Sequence, residues 1–533
     1  MKTRALLVAL AALGAATPAA RLAAQTAERA AAPAVTAAPA GKGAPGAKGA
    51  PAAKGASAAK GAPAGKPAKG RRADVLTVPR PRGPEWFGLY LLGRKTGWAR
   101  MEVARETRAG APVLVARQET VLQVSLGERV VRRGQKDEKV YQARPGGRLL
   151  EYRSERRGDG GDRTLELTCA PDACRAVIRA EGGEEVRRTA PPGETAEQAD
   201  PYRLAATRRA TVEGRQIESE HLRVKAMKDA FLRRGRIAGA GVEIPVSVVS
   251  EAEEGDRVAA EVAVADDGRV VEIRFGNSLV ARAEPEEIAK RLDRVDLFSL
   301  SRVPLEGPLP RSVPQRIVFR LKGVPRGFSE QDARQTFAPG PSGETVVTVT
   351  ARLPAAAEAW RDAPGGAGGD AELLAATPEI DADHPELRRL AAEVAGGEKG
   401  VYAASARLAR WVHDRLAKVY GQSRDKASEV LAAGKGDCTE HALLFVAMAR
   451  AAGIPARGVH GLVYAAYGDG VHALYWHAWA EVRAGDEWIA VDPTFGQPVA
   501  DATHIALGRG TRVDAVGLLG GLTVTSAEAM GAP

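Results

Sequence analysis

Three residues near the C-terminus have the types needed for nucleophilic chemistry. They are Cys438 in "GKGDCTEHALLFVAMARAAGIPARG", His477 in "YWHAWAEV" and Asp492 in "WIAVDPTFG". A sulfur attacks a carbonyl carbon as the thiolate, so it needs a base, and an imidazole serves best when a carboxylate fixes its tautomer. Asp437 can cap a helix, and Glu440, three residues on, completes a capping box. Cys438 then becomes the first helical residue. Its backbone N–H is one of the donors that the helix leaves unpaired, and its side chain lies at the positive end of the dipole. That position favours negative charge on sulfur and offers a donor to an oxyanion. Asp437 and Glu440 push the other way, so the helix alone does not secure a thiolate. The rest of the helix, Ala442 to Met448, is apolar nearly all round and should be buried, with Gly453 and Pro455 closing it. A buried cysteine can be no more than a small hydrophobe. Gly434, Gly436 and Asp437 instead make the approach to this one open.

The partners come from a hairpin. A two-residue turn at Gly485-Asp486 sets Ala484 opposite Glu487 and His477 opposite Thr494. Asp492 then falls on the same face as His477, one diagonal step away, within reach of an imidazole–carboxylate hydrogen bond. A slip of one residue would put the two on opposite faces.

These blocks resemble the three core motifs of the transglutaminase-like superfamily, a branch of the papain-like thiol enzymes. The match lies in "GKGDCTEHALLFVAMARAAGIPARGVHG", "HAWAEV" and "WIAVDPTFG", and spans roughly residues 380–510. The upstream "WVHDRLAKVYGQSRDKASEVL" fits the helix and linker that precede the cysteine in such proteins. The resemblance implies Cys438 as nucleophile, His477 as general base and acid, and Asp492 as orienting carboxylate. It implies no cofactor. Nothing resembles the added domains and calcium sites of animal transglutaminases. The expected reaction is therefore hydrolysis of a peptide or isopeptide bond through a thioester. The alternatives are γ-glutamyl transfer that crosslinks proteins, and a catalytically silent binding domain.

Other side chains compete. Cys438 and His441 share a helix face, and His460, His472 and His504 follow, but zinc-ligand spacing is absent, so no metal is expected. His441 reads as a packed helix residue and His504 as a minor alternative base. Trp476 and Trp479 read as core, with Trp476 also placed to wall a cleft. Trp411 and Gln422 are candidates for a second oxyanion donor.

The site must be held by an α+β domain at 372–515: helices first, in "HPELRRLAAEVAGG" and "YAASARLARWVHDRLAKVYG", then antiparallel strands. The expected face of the second helix is Leu408, Trp411, Val412, Leu416 and Val419. Residues 84–361 read as a β-rich region with helical inserts, one of them "EPEEIAKRLDRVDLF" with Ile288, Leu292 and Val295 on one face. Cys169 and Cys174 flank a Pro-Asp turn and should form a disulfide that staples a hairpin. Residues 516–533 read as a tail.

The N-terminus reads as a signal peptide at 1–24, with Lys2 and Arg4 before a short apolar run, so the protein should be exported to the periplasm or beyond. Residues 25–83 are an Ala/Lys/Gly/Pro linker with lysines every six residues from Lys42 to Lys66. Residues 1–72 hold 12 Lys/Arg and one acid, a balance of +11 against +10 for the whole chain of 533 residues. The folded body is therefore nearly neutral. No nucleic acid is expected as partner; the basic tail suits an anionic envelope surface, and the site a peptide or protein substrate. The sequence leaves the oligomeric state open.

Overall fold

The structure is a computed structural model. It describes residues 74–530 apart from 127–128, 159–160, 181–182, 240–241, 255–258, 277, 306–314, 325–330, 359–370, 420–423, 425, 467–470 and 511–520. The expected signal peptide, nearly all of the linker, the boundary near 362–371 and Gln422 therefore lie outside the described residues. The described chain is mostly β-sheet, with few helices.

Residues 85–283 build one 14-stranded antiparallel sheet. Strand-by-strand alternation explains it. In Arg163–Cys169, residues 163, 165, 167 and 169 are buried and the intervening ones are not. Sequential strands pair with one another except Gly183–Thr189 and Thr211–Ile217, which form the two edges, and Glu85–Leu91 also pairs with Leu279–Ala283. Cys169 and Cys174 face each other in register and are joined as a disulfide. A buried ion pair of Lys139 with Glu194, at 2.9 Å, sits under the sheet with Tyr141 donating to the same carboxylate at 2.6 Å.

One expected helix is broken. Within "EPEEIAKRLDRVDLF" only Glu286–Ala289 and the beginning of Leu297–Ser301 are helical. The residues between are drawn onto the sheet: the Asp293 N–H donates to the Lys95 carbonyl at 3.1 Å, and the Val295 carbonyl accepts from the Ser125 N–H at 2.7 Å. Those bonds satisfy the backbone without a helix. Ile288 is left 39% exposed, so the expected apolar face does not form.

A second, five-stranded sheet holds the residues of interest. Val303–Pro304, His472–Ala484, Ala456–Ala466 and His504–Arg509 lie side by side, with Glu487–Val491 also paired to His472–Ala484. Ala480, Val482 and Ala484 share a core with Leu444, Phe445 and Met448 of the Cys438–Ala451 helix. The same core takes Leu387 and Ala391 from Pro385–Ala395, and Leu408 and Val412 from Val401–Arg415. The Val401–Arg415 helix stops short of expectation: Leu416 is buried just beyond its end, Val419 lies outside it, and Ala417–Lys418 pair in parallel with Lys435–Gly436.

Thr523–Met530, expected within a tail, is a strand. It pairs with Arg316–Lys322, which with Thr345–Thr350 and Gln335–Pro339 completes a four-stranded sheet. The alternation in "TVTSAEAM" is weakly apolar, so its pairing is not visible from the strand alone. Phe319 and Val347 of this sheet pack in one core with Leu462, Leu474, Trp476 and Ile505. The sheet that bears His477 is therefore packed by helices through one set of residues and by strands through another.

Candidate active site

The Cys438 helix begins as its sequence dictates. The Asp437 carboxylate accepts from the Thr439 N–H at 3.0 Å, and the Glu440 carboxylate folds back to accept from the Asp437 N–H at 2.8 Å. Gly436 makes this possible, because a Cβ there would collide with the Glu440 side chain. Glu440 is buried, and burial followed by the neighbouring Asp437 charge holds its carboxyl well above the usual range. The shift favours the neutral form of Glu440 and so weakens one of the two charges that oppose a thiolate. Cys438 itself is buried at the first helical position and belongs to no disulfide.

The hairpin has the register that its turn predicts: Ala484 opposes Glu487 and the pairing runs up to Ala480 with Val491. One residue past the strand, Asp492 turns its side chain to His477. Nε2 of His477 lies 2.8 Å from Asp492 Oδ2. The other carboxylate oxygen accepts from the backbone N–H groups of Thr494, at 2.7 Å, and Phe495, at 3.0 Å. Phe495 also stacks on the His477 ring, centroids 4.8 Å apart and planes 12° from parallel. Orientation of His477 is thus fixed by a hydrogen bond and a ring face.

Electrostatics follow the geometry. Burial pulls His477 down, but the Asp492 charge and hydrogen bond, aided by the Cys438 side chain, more than reverse this and push it up to about 9. Burial opposes ionisation of Asp492, and His477 together with His504 holds it well below the usual carboxylate range. An ionised carboxylate only accepts, so His477 must carry a proton on Nε2. Nδ1 is the nitrogen left to exchange a proton with Cys438, the sulfur that contributes to the rise of His477.

His504, expected as a minor alternative base, shares an Asp492 oxygen with His477. Its Nε2 lies 3.0 Å from the same Asp492 Oδ2, and its Nδ1 lies 3.1 Å from Asp501 Oδ1. His477, Asp492 and His504 thus bring three potential ligand atoms within 4.8 Å of one another. Both Nε2 atoms donate to Oδ2, so each carries the proton that a metal ligand must lack. The donor set describes hydrogen bonds.

The remaining candidates separate. His441 is buried, its Nδ1 donating to the Asp437 carbonyl at 2.7 Å, and burial pulls it down to about 4, so it is neutral. His472 meets the Tyr464 hydroxyl at 2.7 Å. Trp476 and Trp479 are core residues, and Trp411 is half-buried against the helical core. Sequence reasoning missed Asp501. The signal available was its place three residues before His504 in "DATH".

Residues 388–493 match the family model of the transglutaminase-like superfamily. No curated protein matches the chain. Among solved structures, a proposed cysteine protease from Cytophaga hutchinsonii is 18% identical with a TM-score of 0.28, over 41% of this chain and 84% of the other. A proposed protease from Parabacteroides distasonis is 14% identical with a TM-score of 0.18, over 77% of this chain and 71% of the other. Behind a large antiparallel sheet, the C-terminal part of this chain is a transglutaminase-like domain.

Proposed function

We propose that the chain is an exported cysteine-type amide hydrolase, with Cys438 as nucleophile, His477 as general base and acid, and Asp492 as the carboxylate that orients His477. The observation that carries the reading is the buried His477 ring, bound through Nε2 to Asp492 with Nδ1 engaged by no hydrogen bond, and the Cys438 side chain near enough to raise the ring's affinity for a proton. In the resting ion pair the Cys438 proton already lies on His477 Nδ1, and in the first half-reaction the thiolate adds to the amide carbon. The oxyanion is received by donors that include the Cys438 backbone N–H. Collapse breaks the C–N bond, the departing amine takes the proton from His477, and a thioester remains. Water then gives a proton to His477 and adds to the thioester, and the thiol leaves as its proton returns. The acid product is released and the enzyme is regenerated.

The substrate in this reading is a peptide or isopeptide bond of the cell envelope. Export is supported by the signal-like N-terminus and by the Cys169–Cys174 disulfide, which suits an oxidising compartment. The α+β domain with its buried nucleophile helix is part of the same proposal, as are the bounds 372–515 and the contact of the basic tail with an anionic surface.

The test is iodoacetamide labelling of the purified chain from pH 4 to 10, beside Cys438→Ala and His477→Ala. Labelling confined to Cys438, fast below pH 8 and slowed without His477, is the expected outcome. A Cys438 thiol indifferent to His477 would refute the reading. Adding a primary amine during turnover of a peptide amide then separates the two acceptors, because only a crosslinking enzyme diverts most of the thioester to the amine.

A further inference from the structure

Asp492 has a second imidazole on it. His504, the first residue of the strand His504–Arg509, is fully buried. Its Nε2 approaches Asp492 Oδ2 at 3.0 Å, and its Nδ1 approaches Asp501 Oδ1 at 3.1 Å and the Asp501 carbonyl at 3.3 Å. Acceptors on both sides require N–H on both nitrogens, so the ring is an imidazolium between two carboxylates. Asp501 is itself held by the Thr503 backbone N–H at 2.9 Å and by the Gln497 amide at 2.8 Å. Arg334, just before the strand Gln335–Pro339, donates to the His504 carbonyl at 2.9 Å and to the Asp501 carbonyl.

We infer that His504, oriented by Asp501, is a positioning residue for Asp492: it pins Oδ2 in line with His477, and its positive charge limits how tightly Asp492 holds a proton on the His477 ring. The inference rests on the thiol-enzyme reading above. A core serving packing alone has no use for a charged array, since apolar residues of similar volume fill such a space at no desolvation cost. The array instead ends on the one oxygen that His477 uses. The two rings lie 5.8 Å apart at 56°, so both reach Oδ2 without stacking. Trp479 and Phe495 close on His504 edge-on at 5.3 and 6.0 Å and keep it from turning.

The charged groups facing His504 are Asp492, Asp501, His477 and, from just before the strand Gln335–Pro339, Arg334; Lys418 and His441 act on Asp492 at longer range. His504 is pushed up to about 9: burial opposes the charge, and the two carboxylates more than offset it. It therefore stays protonated through the neutral range.

The experiment is the pH profile of Cys438 labelling by iodoacetamide in the full chain, with His504→Gln, His504→Phe, Asp501→Asn and His477→Ala. Gln keeps a donor to Asp492 but no charge, so the upper inflection, set by His477, should move to higher pH by about one unit. Phe removes donor and charge, and the neutral-pH rate should fall by about 10–100-fold, as for other residues that orient a reacting group's partner. Asp501→Asn should fall between the two. Circular dichroism and a melting curve establish which variants are folded. Folded His504→Gln and His504→Phe proteins with the wild-type profile overturn the inference. If His504→Phe does not fold, an unmoved inflection in His504→Gln overturns it by itself. Labelling that ignores His477→Ala overturns the thiol-enzyme reading and this inference with it, which keeps the two failures distinct.

Discussion

Replacing Asp492 by Asn changes few atoms and should abolish the chemistry. The Asn oxygen can still accept from the Thr494 and Phe495 N–H groups, so the turn is preserved. Its amide nitrogen then faces the Nε2 atoms of His477 and His504, where the carboxylate had accepted from both. A donor opposite His477 Nε2 favours the other tautomer, with the proton on Nδ1, the atom that must receive the Cys438 proton. The rise of His477 from its ordinary 6.5 to about 9 corresponds to roughly 3 kcal/mol in favour of the imidazolium. Asp492 is the chief source of that rise. Without it burial dominates, and the ring should titrate below its ordinary value.

At pH 7.5 nearly all of the wild-type rings are protonated, whereas a ring of pKa 6.5 or lower is protonated in about a tenth of molecules or fewer. The wrong tautomer adds to this, and in a serine enzyme with the same logic the equivalent change costs about 10⁴-fold in turnover. Rate constants for iodoacetamide labelling of Cys438 from pH 4 to 10 provide the assay. Asp492→Asn should lose the fast reaction at neutral pH and label only as the solution thiol would, at alkaline pH. The reasoning is refuted if the folded variant labels with the wild-type profile, because His477 would then owe neither its proton nor its orientation to Asp492.

Gly461→Ala should damage the site from behind: a Cβ there would overlap the Ile505 carbonyl and crowd the Trp479 ring at 2.8 Å. The strand beginning at His504 must move, at about 1–3 kcal/mol by the usual cost of overpacking, and a melting temperature equal to wild type would contradict this. Opening the Cys169–Cys174 loop by double substitution to Ser should lower stability by about 2 kcal/mol on chain-entropy grounds, while Cys438 labelling stays unchanged. A denaturant titration read beside the labelling rate checks both halves. Chelation by EDTA should leave labelling untouched and metal analysis should show no stoichiometric ion; loss of labelling on chelation would turn the His477–Asp492–His504 cluster into a ligand set. Stability contributed by the raised His477 and His504 should be full below pH 6.5 and lost as pH rises through about 9, which melting curves across that range would show.

Much of the site could be read from the sequence because its determinants are local or periodic. The capping box occupies four consecutive residues from Asp437 to Glu440, and the hairpin register follows from one glycine turn. Both are fixed before any distant contact forms. The ladder ends at Ala480–Val491, however, and Asp492 reaches His477 from a turn in which it bridges Gln497, not as part of the expected pairing of His477 with Thr494. The elements that were misread depend on distant partners. Asp293 and Val295 leave a helical pattern because Lys95 and Ser125 offer backbone partners. Thr523–Met530 becomes a strand because Arg316–Lys322 has an open edge for it. His504 belongs to this second class. Its role is set by the side to which Ala456–Ala466 pairs, which places His504–Arg509 with two strands between it and Glu487–Val491. No period or cap in the sequence specifies that choice. Yet the choice has a physical consequence: it brings an imidazolium to the Asp492 oxygen that His477 uses, where it can hold the carboxylate while its other nitrogen is engaged by Asp501. An acid fixed by two backbone N–H groups and two imidazoles has no remaining freedom to turn, and the aim of His477 depends on that rigidity.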